Sequence, residues 1–249
     1  MTQERFQPST EPLTAAQRAK IAARLSLRPN REERGESLPA TQAALALPSA
    51  TLKEQANRAA ALAAALLTER LVVPVGGQAP LPQVQGSFGG AVLAFTSAAE
   101  LSAWSHDARP AAMAAQQVAA LAGQVGGAAS IVVDAGSENP VVLPIGAVHA
   151  LAGGDLWQGP WEDPGLRSTL TETARAKCAE VVGVSVLPAA SSEGPWEGAL
   201  EVRLFFEPAP ATGTQRAELA NAIAAVRTHP RLAQCAPAIT LTPIPIAAA

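Results

Sequence analysis

Gly-Pro-Trp-Glu occurs twice in this chain, at 159–162 and at 194–197, and Trp157 stands just ahead of the first copy. Both copies fall in segments read as loops. Aromatic side chains on loops are common anchors of protein interfaces, so Trp157, Trp161 and Trp196 are candidate interaction residues. The competing reading is that they cap a core otherwise poor in large groups: there are 4 tryptophans, 5 phenylalanines and no tyrosine. Asp107 and Arg109 flank one residue in another loop. A guanidinium offers a planar fork that matches a carboxylate, so this pair is a candidate ligand site, or else a structural pair that fixes the loop. Asp134 closes a strand and precedes a turn. It is either a carboxylate at a sheet edge or a turn-initiating Asp.

Other constellations do not assemble. His106, His149 and His229 are far apart and none belongs to an HExxH pattern. Two lone cysteines give no zinc-ligand spacing. No GxSxG elbow is present to mount a serine nucleophile. Gly86-Ser87-Phe88-Gly89-Gly90 lacks the spacing of a phosphate loop and precedes a strand, so it reads as a hairpin loop. No catalytic, cofactor-binding or metal-binding residue is assigned, no cofactor is expected, and the chain is expected not to be an enzyme.

The composition bounds the class. Of 249 residues, 48% are hydrophobic, many of them alanine, and 16% are charged, with a net charge of −3. That is not the basic footprint of a nucleic-acid binder. The charge is uneven: residues 1–70 carry 10 Lys/Arg against 7 Asp/Glu, and the remainder carry 8 against 14. Cys178 and Cys235 are no disulfide framework. Met1 to Thr10 lacks the apolar core of a secretory signal, and no run approaches the ~18 apolar residues of a membrane span. The expectation is a cytoplasmic chain with reduced thiols. Its partner would be another protein rather than nucleic acid or membrane.

The elements that must position these residues centre on 91–104. Val92 to Thr96 is apolar on both faces, which suits a strand covered on both sides. Ser97 and Glu100 stand at capping-box spacing and open a short helix with Leu101 and Trp104 on one face. Pro110 predicts an extended Arg109. Thr51 to Arg70 is the strongest helix. Thr51 and Glu54 form its box, Leu52, Ala56, Ala59, Ala63 and Leu66 line one face, and Lys53, Glu54, Asn57 and Arg58 lie away from it. This helix either packs on the core or docks a partner. Strands are predicted at 71–75, 130–134 and 140–144, the last two as a hairpin, with a minor one at 111–113. Helices follow at 114–122 and 145–151. Asp163-Pro164 starts the next helix, and the second half reads α-β-β-α-β, with a clean alternation at 199–207. The expected organisation is a poorly ordered tail over 1–48, holding at most a marginal helix at 15–27. An N-terminal domain follows over 49–153, then a linker over 154–164 and a C-terminal domain over 165–249. The fold class is α/β (α+β), with a mixed sheet and helices in the first domain.

The arrangement of Leu71-Val72-Val73-Pro74-Val75, Ala94-Phe95-Thr96-Ser97, Leu101, Ala103-Trp104, Asp107-Ala108-Arg109-Pro110, Val132-Val133-Asp134, Val142-Leu143-Pro144 and Ala150-Leu151 resembles the SseB family. The likeness spans about 71–152. The second half resembles that family's smaller C-terminal domain in layout, and Ser105-His106 departs from the usual apolar or proline residues. The resemblance implies a bacterial cytosolic α/β protein, with no catalytic residue or cofactor to carry over. The function expected is an interaction or regulatory role through the tryptophan loops or a sheet face. The alternative is a small-molecule-binding regulator with its ligand near Asp107 and Arg109.

Overall fold

The computed structural model describes residues 35–75, 83–86, 89–124, 128–190, 195–207 and 212–246. The helix expected at 15–27 lies outside them. Residues 34–249 form one compact unit.

Helix α1 (Pro39–Leu45) opens the described chain, with Pro39 in its first turn and Ala44 in the core. Glu69 holds its N-terminus by accepting from the backbone N–H of Ala40 and Thr41 at 2.9 and 2.8 Å. The tail expected over 1–48 is therefore structured from α1 onward. Helix α2 (Leu52–Ala65) begins in a full capping box between Thr51 and Glu54. Ala56, Ala59, Leu62 and Ala63 are buried along it.

Strands β1 (Arg70–Val75), β2 (Gln83–Gly86) and β3 (Gly89–Ala94) follow. Helix α3 (Ala98–Trp104), β4 (Arg109–Ala114) and α4 (Ala115–Gln124) come next. The first half ends with β5 (Ala128–Val133), β6 (Val141–Leu143) and α5 (Ile145–Gly153). One mixed sheet was expected here. Two are present: an antiparallel pair β1-β4 and a four-stranded sheet in the order β2-β3-β5-β6, parallel at β3-β5. A bridge between Val72 and Phe95 joins them. Pro74 faces Pro110 across β1-β4, and two residues without an N–H are tolerated there because the ladder is only two strands wide. Gly86 pairs with Gly89 at the end of the antiparallel β2-β3 ladder, where a hairpin loop was expected.

The apolar run after Gly90 is explained by its two faces. Val92 and Ala94 enter the main core with α2, α4 and α5, whereas Leu93 and Phe95 join Val72 and Leu101 in a small cluster beneath α3. Ser97 caps α3 by accepting from Glu100 N–H at 3.1 Å. Leu101 is buried, while Trp104 lies against Phe95 at 5.5 Å and stays 38% exposed.

The second half contains α6 (Pro164–Arg175), β7 (Val181–Pro188), β8 (Leu200–Phe206), α7 (Gly213–Arg227), α8 (Pro230–Cys235) and β9 (Ile239–Pro245). The predicted order holds, with α8 added before β9. Strands β7-β8-β9 form one sheet, antiparallel then parallel. Asp163 caps α6 by accepting from Leu166 N–H at 2.9 Å, with Pro164 in the first turn. Residues on either side of 154–164 enter one apolar cluster, and Trp157 and Trp161 belong to it. The segment expected as a linker is thus part of the core. Its Gly and Pro content shapes a tight path around two large rings. Among the described residues no helix is long and apolar enough to cross a membrane.

Asp134 fixes the sheet end. It is buried at a φ of 55° and accepts from Thr96 N–H at 2.8 Å and Thr96 Oγ1 at 2.9 Å, tying β5 to the end of β3. Its carbonyl also accepts from Ser137 N–H at 2.9 Å, so both sequence readings of Asp134 describe part of its role. Burial raises its carboxyl above the ordinary range, the Thr96 donors pull it down, Glu100 adds to the rise and Arg58 opposes it. A carboxyl raised in the folded state contributes stability that is fully present below the unfolded value of about 3.9 and is lost as pH rises through the folded one. Asn keeps an acceptor for Thr96 N–H and tolerates positive φ. Urea unfolding of Asp134→Asn should therefore fall less between pH 4 and pH 7 than that of the wild type. Asp134→Ala should lose about 2–4 kcal/mol, since it orphans Thr96 and places an alanine at positive φ. An unchanged pH slope in Asp134→Asn would remove Asp134 from this role.

Candidate functional site

The sequence-predicted ligand pair lies on the surface. Asp107 and Arg109 are both exposed, and Arg109 is spent as the first residue of β4, opposite Val75.

The candidate interaction residues are also placed differently. Trp161 and Trp196 are 7% and 3% exposed, and Trp157 is buried beside them. The rings stack edge to face, Trp157 on Trp161 at 5.8 Å and Trp161 on Trp196 at 5.3 Å. This geometry aligns the positive ring edge with the negative face of its neighbour. Two of the three indole N–H groups have acceptors in the fold: Trp161 Nε1 donates to Asn57 Oδ1 at 2.9 Å, and Trp196 Nε1 donates to Ala199 carbonyl oxygen at 3.0 Å. The tryptophans are therefore core caps, and the aromatic docking surface expected from the two Gly-Pro-Trp-Glu loops is absent from these rings.

The residue that sequence reasoning missed is Arg58. Its place on the polar side of α2 predicts a solvated arginine, yet it is only 8% exposed. Part of the polar side of α2 meets the second half of the chain, while Lys53 stays exposed. Asn57 receives Trp161, and Gln55 accepts from Trp196 backbone N–H at 2.8 Å while donating to Ser49 carbonyl oxygen at 3.2 Å. Arg58 has no such partner: its Nε is buried without a hydrogen bond. Burial pulls its pKa down and the field of Asp134 pushes it back up, but no hydrogen bond or ion pair joins the two.

Arg58 lines a cavity of about 270 Å³. Helix α2 contributes Gln55 and Arg58, three residues apart and so on one face, and Ser49 lies just ahead of the helix. The β5-β6 turn and β6 contribute Glu138, Asn139, Pro140, Val141 and Val142. The loop before β8 closes it with Pro195 and Trp196. Gly198 has a φ of 97°, and a Cβ there would overlap Pro144 at the start of α5. Chemically the cavity offers one buried cation, an exposed carboxylate and carboxamide at Glu138 and Asn139, and an apolar wall. Among the described residues no group of three His, Cys, Asp or Glu side chains is arranged to hold a metal. The raised carboxyl of Asp134 is committed to Thr96.

Residues 42–150, from α1 through most of α5, match the family model described as the SseB protein N-terminal domain. Over those residues the chain is similar to the SseB N-terminal domain. The match takes in Ser49, Gln55, Arg58 and the β5-β6 turn, whereas Pro195 and Trp196 come from beyond it. No curated protein and no solved structure matches the chain at a significant level.

Proposed function

We propose that this chain is a non-enzymatic regulatory protein of the SseB family that binds a small anion in the Arg58 cavity. One observation carries the reading. A buried guanidinium without a partner is costly, and a cavity beside it admits the anion that would pair it. The alternative expected from sequence, a small-molecule-binding regulator, is kept, but its site moves from Asp107 and Arg109 to α2.

The position of the cavity suggests how binding would be sensed. Arg58 lies in the SseB domain and Trp196 in the second half, so a bound anion would brace one against the other. The response would pass to a protein partner through the surface this bracing holds in place. A cytoplasmic setting belongs to the same reading, supported by Cys178 and Cys235 as free thiols.

Thermal unfolding at fixed ionic strength tests the proposal with acetate, isovalerate, succinate and inorganic phosphate, each against a neutral amide or chloride. A ligand at ten times its Kd adds about 1.4 kcal/mol to the folded state. At least one anion should raise the Tm of the wild type and leave that of Arg58→Met unmoved. Equal effects of every anion on both proteins would overturn it.

A further inference from the structure

The geometry points to a compact apolar monocarboxylate as the ligand of the Arg58 cavity, with Glu138 excluding anions that carry a second negative charge. This inference rests on the anion-binding reading above and specifies its chemistry. Three features of the cavity narrow the class. The charge at its buried end is a guanidinium, whose paired N–H donors match the two oxygens of a carboxylate. Val141, Val142, Pro195 and Trp196 supply an apolar part of the lining that takes a hydrocarbon body, beside the neutral polar Ser49, Gln55 and Asn139. Among the described residues the remaining charged side chain lining the cavity is Glu138, which is exposed and makes no ion pair with Arg58. Asp134 adds a further negative field at Arg58.

These charges decide between anions. A monocarboxylate places its one charge on Arg58 and presents apolar atoms to the wall. A dicarboxylate or phosphate dianion brings a second charge into a space bordered by Glu138 and near Asp134. At separations of a few ångströms and an intermediate dielectric this repulsion amounts to a ~5-fold or larger loss of affinity. The volume of about 270 Å³ lies just below the range of roughly 300–1,000 Å³ for drug-sized ligands, so a short branched acid fits better than a long chain.

Isothermal titration of the full chain with isovalerate, isovaleramide, succinate and inorganic phosphate reads the distinction. Isovalerate should bind the wild type and weaken ~10-fold or more in Arg58→Met, because the charge-assisted pair is lost. Isovaleramide, equal in shape and uncharged, should bind ~10-fold or more weakly than isovalerate for the same reason. Succinate should gain ~5-fold in Glu138→Gln while isovalerate changes little. Glu138 is exposed, so that variant keeps its fold and serves even if Arg58→Met does not. Succinate or phosphate binding tighter than isovalerate, with dependence on Arg58, would overturn the ligand class and leave the anion site standing. No Arg58-dependent heat from any of the four would overturn both.

Discussion

Trp161→Ala lowers the unfolding free energy by about 3–5 kcal/mol, the range for removing a buried large aromatic. Trp161 is the middle ring of the stack, so its loss removes edge-to-face contacts with both Trp157 and Trp196, at 5.8 and 5.3 Å. Such contacts contribute about 0.5–1.5 kcal/mol each beyond their buried area. It also leaves Asn57 Oδ1 without its donor on a helix that faces the second half. Trp104→Ala is the comparison. That ring is 38% exposed and touches Phe95 alone among the described aromatics, so its removal should cost about 1–2 kcal/mol. Urea unfolding followed by circular dichroism measures both. A loss below 1 kcal/mol for Trp161→Ala would mean that the two halves do not depend on the tryptophan stack.

Arg58→Met has the opposite sign. Methionine keeps much of the aliphatic stem and removes a charge that no protein group pairs. Exchanging poorly paired buried charge for apolar volume is commonly neutral or stabilising, and here the gain should be about 1–2 kcal/mol in the absence of ligand. Arg58→Ala, which also vacates the space of the stem, should fall below Arg58→Met. Stability and function then separate: the variant that folds better no longer gains from an anion. A loss of more than 2 kcal/mol in Arg58→Met would instead mark Arg58 as a structural residue satisfied within the fold.

Local signals in the sequence carried most of the architecture. Thr51 with Glu54, Ser97 with Glu100, and Asp163 with Pro164 each specify a helix start within four residues, and each start is found in place. The alternation over Leu200–Phe206 needs no distant partner to be read, because one face packs and the other does not. Arg58 was illegible for the opposite reason. A polar stripe on a helix looks the same whether it meets water or another part of the chain, and here the group meeting Gln55 is Trp196, 141 residues away. Segment 154–164 was misread likewise: Gly and Pro composition describes backbone turns, and a linker and a tightly wound core segment share them. Asp107 and Arg109 are a suitable pair of residue types, but their spacing does not tell that both lie exposed. The available signal for Arg58 was its company: Gln55 and Asn57, two amides suited to partners within a fold, precede it on the same helix.

The most direct measurement is the NMR signal of the Arg58 side-chain Nε–H in uniformly ¹⁵N-labelled protein, assigned by its disappearance in Arg58→Met. Titration with isovalerate should move this resonance progressively and in step with a change in tryptophan fluorescence, while the exposed Arg109 stays in place. An Arg58 resonance that does not respond, with exposed arginines shifting instead, would contradict the claim that this buried guanidinium receives the ligand.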